Sequence, residues 1–445
     1  MKSNIRLMTK GAVGREILTF AFPVFLANLF QQLYLTVDSL VIGNFVGKEA
    51  LAAITSVGPL VFLLVGLFNG LFIGAGVVIS KYFGSDDADG VSKSIHTTVA
   101  LGFSSSALVT IVGIIGSPYI LRWMGTPAEV FSQANSYVEI YFIGISSLIL
   151  YNMATGILQA LGDSRHPLYF LIASSLTNIV LDLLFVGVLD WGMDGAAYAT
   201  IISEAISAVL SMGLLFLTKE QYRVHLRQVR FHGRQLGRIL HIGIPSGIQN
   251  SVISIANVFV QASVNSFGAA AMAGNGAFLR IQGFVFLPIT SFALALTTFT
   301  SQNIGAGELG RVRKGIRFSL AFCLIMAETF GLFLFLFAKP LLLLFSRDPE
   351  VLAIGTEKAH IACFFFCCLA LSHTMAGIFR GAGRAIIPML VMLVCWCLIR
   401  VSYIFITLKY FNDIRVVFWA YPITWTLSSL IFIFYYFKVD WLRQR

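Results

Sequence analysis

Apolar runs of roughly 20 residues or more recur from one end of this 445-residue chain to the other. Each is long enough to cross the hydrocarbon layer as a helix, and a chain in lipid must satisfy its backbone groups internally. With 57% hydrophobic and 12% charged residues and a mean hydropathy of +0.83, no soluble fold of this length could hide so much apolar surface. The expected class is an all-α integral membrane protein. The first run is too long for a secretory signal and no small-residue cleavage site follows it, so it counts as a retained span.

Bounded by charges, Gly and Pro, the spans fall near 17–46, 53–80, 94–117, 136–160, 167–189, 195–217, 239–267, 276–301, 315–338, 357–381, 387–409 and 415–437. Pro23 and Pro245 stand near the start of the first and seventh spans and are candidate kinks. All six cysteines fall within spans, which argues for buried hydrophobes rather than a disulfide framework. His360, Cys363 and Cys367 share a helical face, but with no further ligand group no metal site is expected beyond a possible Na+.

Most of the 31 Lys and Arg gather at the N-terminus, in the even-numbered connections and at the C-terminus. By the positive-inside rule both termini are expected in the cytoplasm, with the protein multi-pass in the inner (plasma) membrane. The net charge of +10 follows from that asymmetry and is no sign of nucleic-acid binding. The basic connection 218–238 is expected to meet anionic lipid.

The chain repeats itself. Pro23 and Asn28 recur as Pro245 and Asn250, and GILQALGDSRHPL (156–168) lies over GIFRGAGRAIIPM (377–389), superposing Gly156, Gly162 and Pro167 on Gly377, Gly383 and Pro388. Six spans per repeat give both halves one orientation, hence twelve transmembrane helices in two pseudo-symmetric six-helix bundles, a plan common among transporters. The expected division is 1–217, a linker 218–238, and 239–445.

The halves differ in charge. Asp38, Asp182 and Glu204 lie inside apolar runs of the first half, and the repeat sets Val260, Tyr403 and about Leu427 opposite them. An intramembrane carboxylate costs roughly 2.5–3.5 kcal/mol, so such residues usually face a partner or a wet cavity. Asn178 and Asp182 share a helical face, as do Thr200, Ser203, Glu204 and Ser207. At 1.5 Å per residue, Asp38, Asp182, Thr200 and Glu204 lie about 12, 10, 8 and 14 Å from the outer ends of their spans. An ion or proton site in the first half is the expectation, with interhelical hydrogen bonding as the structural alternative. Cavity-lining stripes are read at Asn28, Gln31 and Gln32 in the first span and at Asn250, Ser254, Asn257 and Gln261 in the seventh. Arg400, deep in its span, could neutralise Glu328 or Glu204 or line the cavity.

FAFPVFLANLFQQLYLTVDSLVIG (20–43), the GILQALGDSRHP turn and the segment running from Asn178 and Asp182 to Gly195, Tyr198 and Thr200 resemble the multidrug and toxic compound extrusion (MATE) family, over nearly the whole chain. The resemblance implies an antiporter that exports cationic or amphipathic small molecules against H+ or Na+ entry, with no cofactor. Its DinF-like branch implies a coupling site of Asp38, Asn178, Asp182 and Thr200, with Tyr137 and Asn152 as additions. The seventh span contains no acid, unlike branches that couple through a glutamate there, and Glu204 replaces a frequent amide. The alternative is a lipid or polysaccharide-precursor flippase of the wider superfamily. The chain is expected to act as a monomer. No compact His/Asp/Glu or Ser/His arrangement falls in the spans, so an enzyme is not expected.

Overall fold

A computed structural model describes residues 7–41, 48–123, 128–220 and 222–442. The first half contains helices α1 (Val13–Val41), α2 (Lys48–Gly84), α3 (Ala88–Trp123), α4 (Ala128–Ala160), α5 (Arg165–Asp182) and α6 (Gly192–Leu217). The second half contains α7 (Gly233–Asn265), α8 (Ala269–Gly305), α9 (Leu309–Leu342), α10 (Pro349–Ala362), α11 (Phe366–Gly381), α12 (Ile386–Met392), α13 (Arg400–Thr407) and α14 (Ile414–Lys438). A 3-10 turn joins α10 to α11 and a π-helical segment joins α12 to α13, each pair forming one continuous span. Among the described residues, twelve helical spans are thus long and apolar enough to cross a bilayer.

The repeat is visible in the packing. Gly162 and Gly383 end α4 and α11 at φ of +84° and +78°, the left-handed conformation that glycine adopts without steric cost. One turn inside those ends, a Cβ on Gly156 would lie 3.3 Å from the carbonyl of Phe72, and one on Gly377 would lie 2.4 Å from the carbonyl of Ala293. Each glycine lets two helices of its own bundle approach closely. Gly74 also permits a close approach within unit one: a Cβ there would meet Gly243 backbone atoms at 2.5 Å.

The chain forms two compact units, and their limits differ from the expected 1–217 and 239–445. Unit one comprises Phe22–Gly243, and unit two Ile244–Arg445 together with Met8–Ala21. The divisions fall beside Pro23 and Pro245, where the missing N–H interrupts the helical ladder. In unit two, Met8 N–H donates to Gln302 Oε1 at 2.8 Å, Arg311 donates to the carbonyls of Met8, Lys10 and Gly11, and Gly14 packs on Phe318.

The 218–238 connection is also folded onto unit one rather than free. Val224 N–H donates to Leu215 O, His225 N–H to His96 Nε2, and His232 N–H to Thr97 Oγ1, while Arg238 bonds the Tyr82 hydroxyl. Tyr222 is buried there, which pushes its phenol up from its ordinary range.

Candidate functional site

In unit one, α5 and α6 are tied together at their middles: Ser174 Oγ donates to Ser203 O at 2.6 Å, and Ser203 Oγ to Thr200 O at 2.7 Å. Because those hydroxyls are spent on backbone carbonyls, the remaining polar groups on the facing stripes are left for other partners. Asn178 is 1% exposed and Asp182 is 0% exposed. Neither polar atom of Asn178 has a hydrogen-bond partner, nor does either oxygen of Asp182, Oδ1 of Asp38 or Oγ of Ser175. A buried polar group without a partner costs about 1–3 kcal/mol, and a charged one more. Several orphaned oxygens in one unit are therefore a strong departure from ordinary packing.

Asp38 lies within electrostatic range of Asp182, and Tyr34, hydrogen-bonded to Gln31, lies within range of both Asp38 and Glu204. A cavity of about 20 Å³ opens among Gln31, Tyr34, Tyr151, Asn178, Ser203 and Glu204, large enough for one water or a bare monovalent cation. Directly after Asp182 the helix widens into a π-helical segment, Leu183–Val188, a device frequent at functional sites. Asn178 and Glu204 line this cavity, whereas Asp38 and Asp182 do not; the oxygens of all four are of the kind that suits a hard cation, and the carboxylates can also take a proton.

The other sequence candidates are placed as follows. Asn152 and Thr200 are half-buried and do not line the small cavity, and the side chain of Tyr137 lies outside the described residues. Gln31 lines the cavity, Gln32 is exposed, and Asn28 is half-buried. In unit two Asn257 is exposed, Ser254 Oγ donates to Asn250 O at 3.1 Å, and Gln261 is held by Asn275 and Asn265.

Arg400, expected as a partner for Glu328 or Glu204, pairs with neither. It is 1% exposed inside unit two and donates twice to Thr424 Oγ1, with its guanidinium over the rings of Trp396 and Tyr421. Glu328 instead accepts the N–H of Cys367 at 3.0 Å. Arg380 is 8% exposed and bonds Ala376 O. Sequence reasoning passed over Lys358, which is 1% exposed.

A larger pocket of about 310 Å³ lies in unit two between the ends of α7 and α13, lined by Phe259, Val260, Ile404, Phe405 and Lys409. It is apolar, and none of the candidate site residues borders it. Among the described residues no three His, Cys, Asp or Glu side chains gather as metal ligands.

The MatE family profile matches residues 23–184 and matches again at 245–406, so each half of the repeat satisfies it separately. The chain belongs to the MatE family. It is 27% identical over 447 residues to "Probable multidrug resistance protein YoeA" of Bacillus subtilis (strain 168), covering 98% of this chain and 96% of that protein. It is 30% identical over 392 residues to "Probable multidrug resistance protein YpnP" of the same organism, covering 88% of each. A solved structure described as MATE in the bent conformation superposes with a TM-score of 0.92 at 22% identity, covering 99% of both chains.

MatE proteins are transporters and not enzymes, and ion-coupled antiport without an organic cofactor is general in the family. This chain is a multi-pass membrane transporter of that kind, and the flippase alternative is not favoured.

Proposed function

We propose that the chain exports amphipathic, cationic small molecules from the cytoplasm across the plasma membrane, that both its termini are cytoplasmic, and that it acts as a monomer. The export is driven by entry of H+ or Na+ through a site built from Asp38, Asn178, Asp182 and Thr200, with Glu204 as an additional acid and Tyr137 and Asn152 at its margin. The observation that carries this reading is the set of orphaned oxygens on Asp38, Asn178 and Asp182. The names of YoeA and YpnP as probable multidrug resistance proteins support the cargo class. Three acids in unit one would balance a cationic cargo as well as a coupling ion.

Proton and metal cation are alternatives at these carboxylates, because each removes the unpaired negative charge that burial penalises. Binding of one excludes the other, and release of the cargo follows from the same competition. Linkage makes the effect reciprocal: acid weakens cation binding, and the cation displaces protons.

The test is Na+ affinity of purified protein as a function of pH, in wild type and in Asp38→Asn. The reading expects affinity to fall by up to about tenfold per pH unit for each linked proton as pH drops, and Asp38→Asn to weaken that dependence. If Na+ binds equally well at all pH values, or if Asp38→Asn leaves the dependence intact, the shared site is wrong.

A further inference from the structure

Unit two contains a charge site of the opposite sign. Gly274 of α8 and Gly355 of α10 face each other, with a Cβ on Gly355 only 3.2 Å from Gly274 O, and this close approach draws Lys358 over the next turn of α8. There its Nζ donates to Asn275 Oδ1 and sits 5.3 Å from the ring centre of Phe278. The rings of Phe418 and Tyr421 on α14 close the cage at 5.5 and 4.9 Å. The guanidinium of Arg400 lies over Tyr421 as well, at 4.6 Å, so two buried cations share one aromatic ring.

Among the described residues neither cation has a carboxylate within ion-pair distance. The acids and titratable groups nearest in the fold are committed elsewhere. Glu357, next to Lys358 on α10, is exposed towards Arg415 at 3.7 Å. Glu328 on α9 holds the Cys367 N–H, and His360 on α10 packs against Phe335 at 4.5 Å. Cation–π contacts and one amide acceptor offset only part of what an ammonium loses on leaving water. A guanidinium stays protonated under all protein conditions, so of the two cations only the ammonium can change its charge.

A polar track leads out of the cage. Asn275 Nδ2 donates to Gln261 Oε1 at 3.0 Å, and Gln261 Nε2 donates to Asn265 Oδ1 at 2.8 Å. Asn275 is 2% exposed, Gln261 half-buried, and Asn265, the last residue of α7, exposed. The amides carry no proton themselves; they keep a polar path along which water can reach the lysine.

We propose that Lys358 is a proton-carrying residue of unit two, giving its proton to water along the Asn275–Gln261–Asn265 track and regaining it within each transport cycle. The ammonium becomes a neutral amine, which still donates an N–H to Asn275 Oδ1, so the cage accepts both forms. The proposal rests on the ion-driven exporter reading and adds an exchangeable charge independent of Asp38 and Asp182.

The test is 15N NMR of lysine-labelled protein in nanodiscs, with a soluble paramagnetic agent to quench exposed sites. Lys358 is the one buried lysine among the described residues, so its Nζ signal survives, and its loss in Lys358→Met assigns it. The expected result is a change of that signal between ammonium and amine positions across the pH range in which export operates, whether or not a gradient drives export. Lys358→Arg, which keeps the charge and cannot release it, is expected to cut export about tenfold and flatten its pH profile. A signal that stays ammonium throughout, or a Lys358→Arg protein with the wild-type pH profile, would mean a fixed structural cation and overturn the proposal. Since the wild-type signal alone answers the first part, a misfolded variant does not block the test.

Discussion

Asp182 is fully buried and neither of its oxygens has a partner, a costly placement that the proposed ion site would account for. Asp182→Asn keeps the volume and removes the charge. It is expected to leave thermal stability in ion-free buffer unchanged or raised, because an orphaned amide costs less than an orphaned carboxylate. Export should meanwhile fall by about tenfold or more, and added Na+ should no longer raise the melting temperature, as a bound ligand otherwise does. A melting temperature that drops along with expression would instead assign Asp182 a folding role. That residue was legible in the sequence because a carboxylate inside an apolar run is conspicuous. Lys358 was not, because it stands near the start of its run, where a lysine ordinarily snorkels to the headgroups; only the approach of Gly355 to Gly274 reveals that it turns inward. Arg400 was conspicuous too, but sequence position could not tell that Thr424 and two rings, rather than an acid, receive it.

Helix ends and helix contacts make the elements testable one at a time. Asp413 caps α14: its Oδ1 accepts the Arg415 N–H at 2.8 Å and its Oδ2 accepts Arg415 Nε at 2.7 Å. The Arg415 side chain bonded to Asp413 holds its carboxyl below the ordinary range. A depressed folded-state pKa adds stability above the unfolded value of about 3.9, which is lost as pH falls through the folded value. Asp413→Asn keeps a cap but not the charge. The small wild-type advantage in thermal unfolding should therefore be present at neutral pH and be lost as pH falls below about 4 and through the lowered folded value. A constant gap across that range would show that charge is not involved. The repeat offers a second comparison. Gly156→Ala meets the Phe72 carbonyl at 3.3 Å and Gly377→Ala meets the Ala293 carbonyl at 2.4 Å. The first substitution should be close to neutral, since about 1 kcal/mol of helix propensity offsets a mild contact, whereas the second should cost roughly 2 kcal/mol or more through backbone displacement. Equal melting temperatures for the two variants would contradict this packing. The span list, the repeat and the turn glycines could all be read from the sequence, because hydropathy and glycine punctuation are local signals. The π-helical segments after Asp182 and before Arg400 could not, since apolar side chains look the same on either helical pitch.

At the scale of the whole molecule, one ancestral plan occurs twice with opposite charge. Unit one buries or half-buries Asp38, Asp182 and Glu204, and unit two buries Lys358 and Arg400. The sequence displayed the acids and Arg400 but not the burial of Lys358. It also did not show that Met8–Ala21 packs with unit two, because a contact between Met8 and Gln302 lies too far apart in the chain for any periodicity to reveal. The orientation carries its own check: a cysteine placed at Arg227→Cys in a cysteine-free background should be labelled only from the cytoplasmic side. The central claim, that an ion site in unit one drives export, is tested most directly in proteoliposomes that contain the purified protein and a fluorescent cationic dye, with Na+ and H+ gradients imposed one at a time. The account predicts that at least one of the two gradients drives dye export by wild type and that neither does so for Asp182→Asn. Export by Asp182→Asn at the wild-type rate under the same gradient would contradict it.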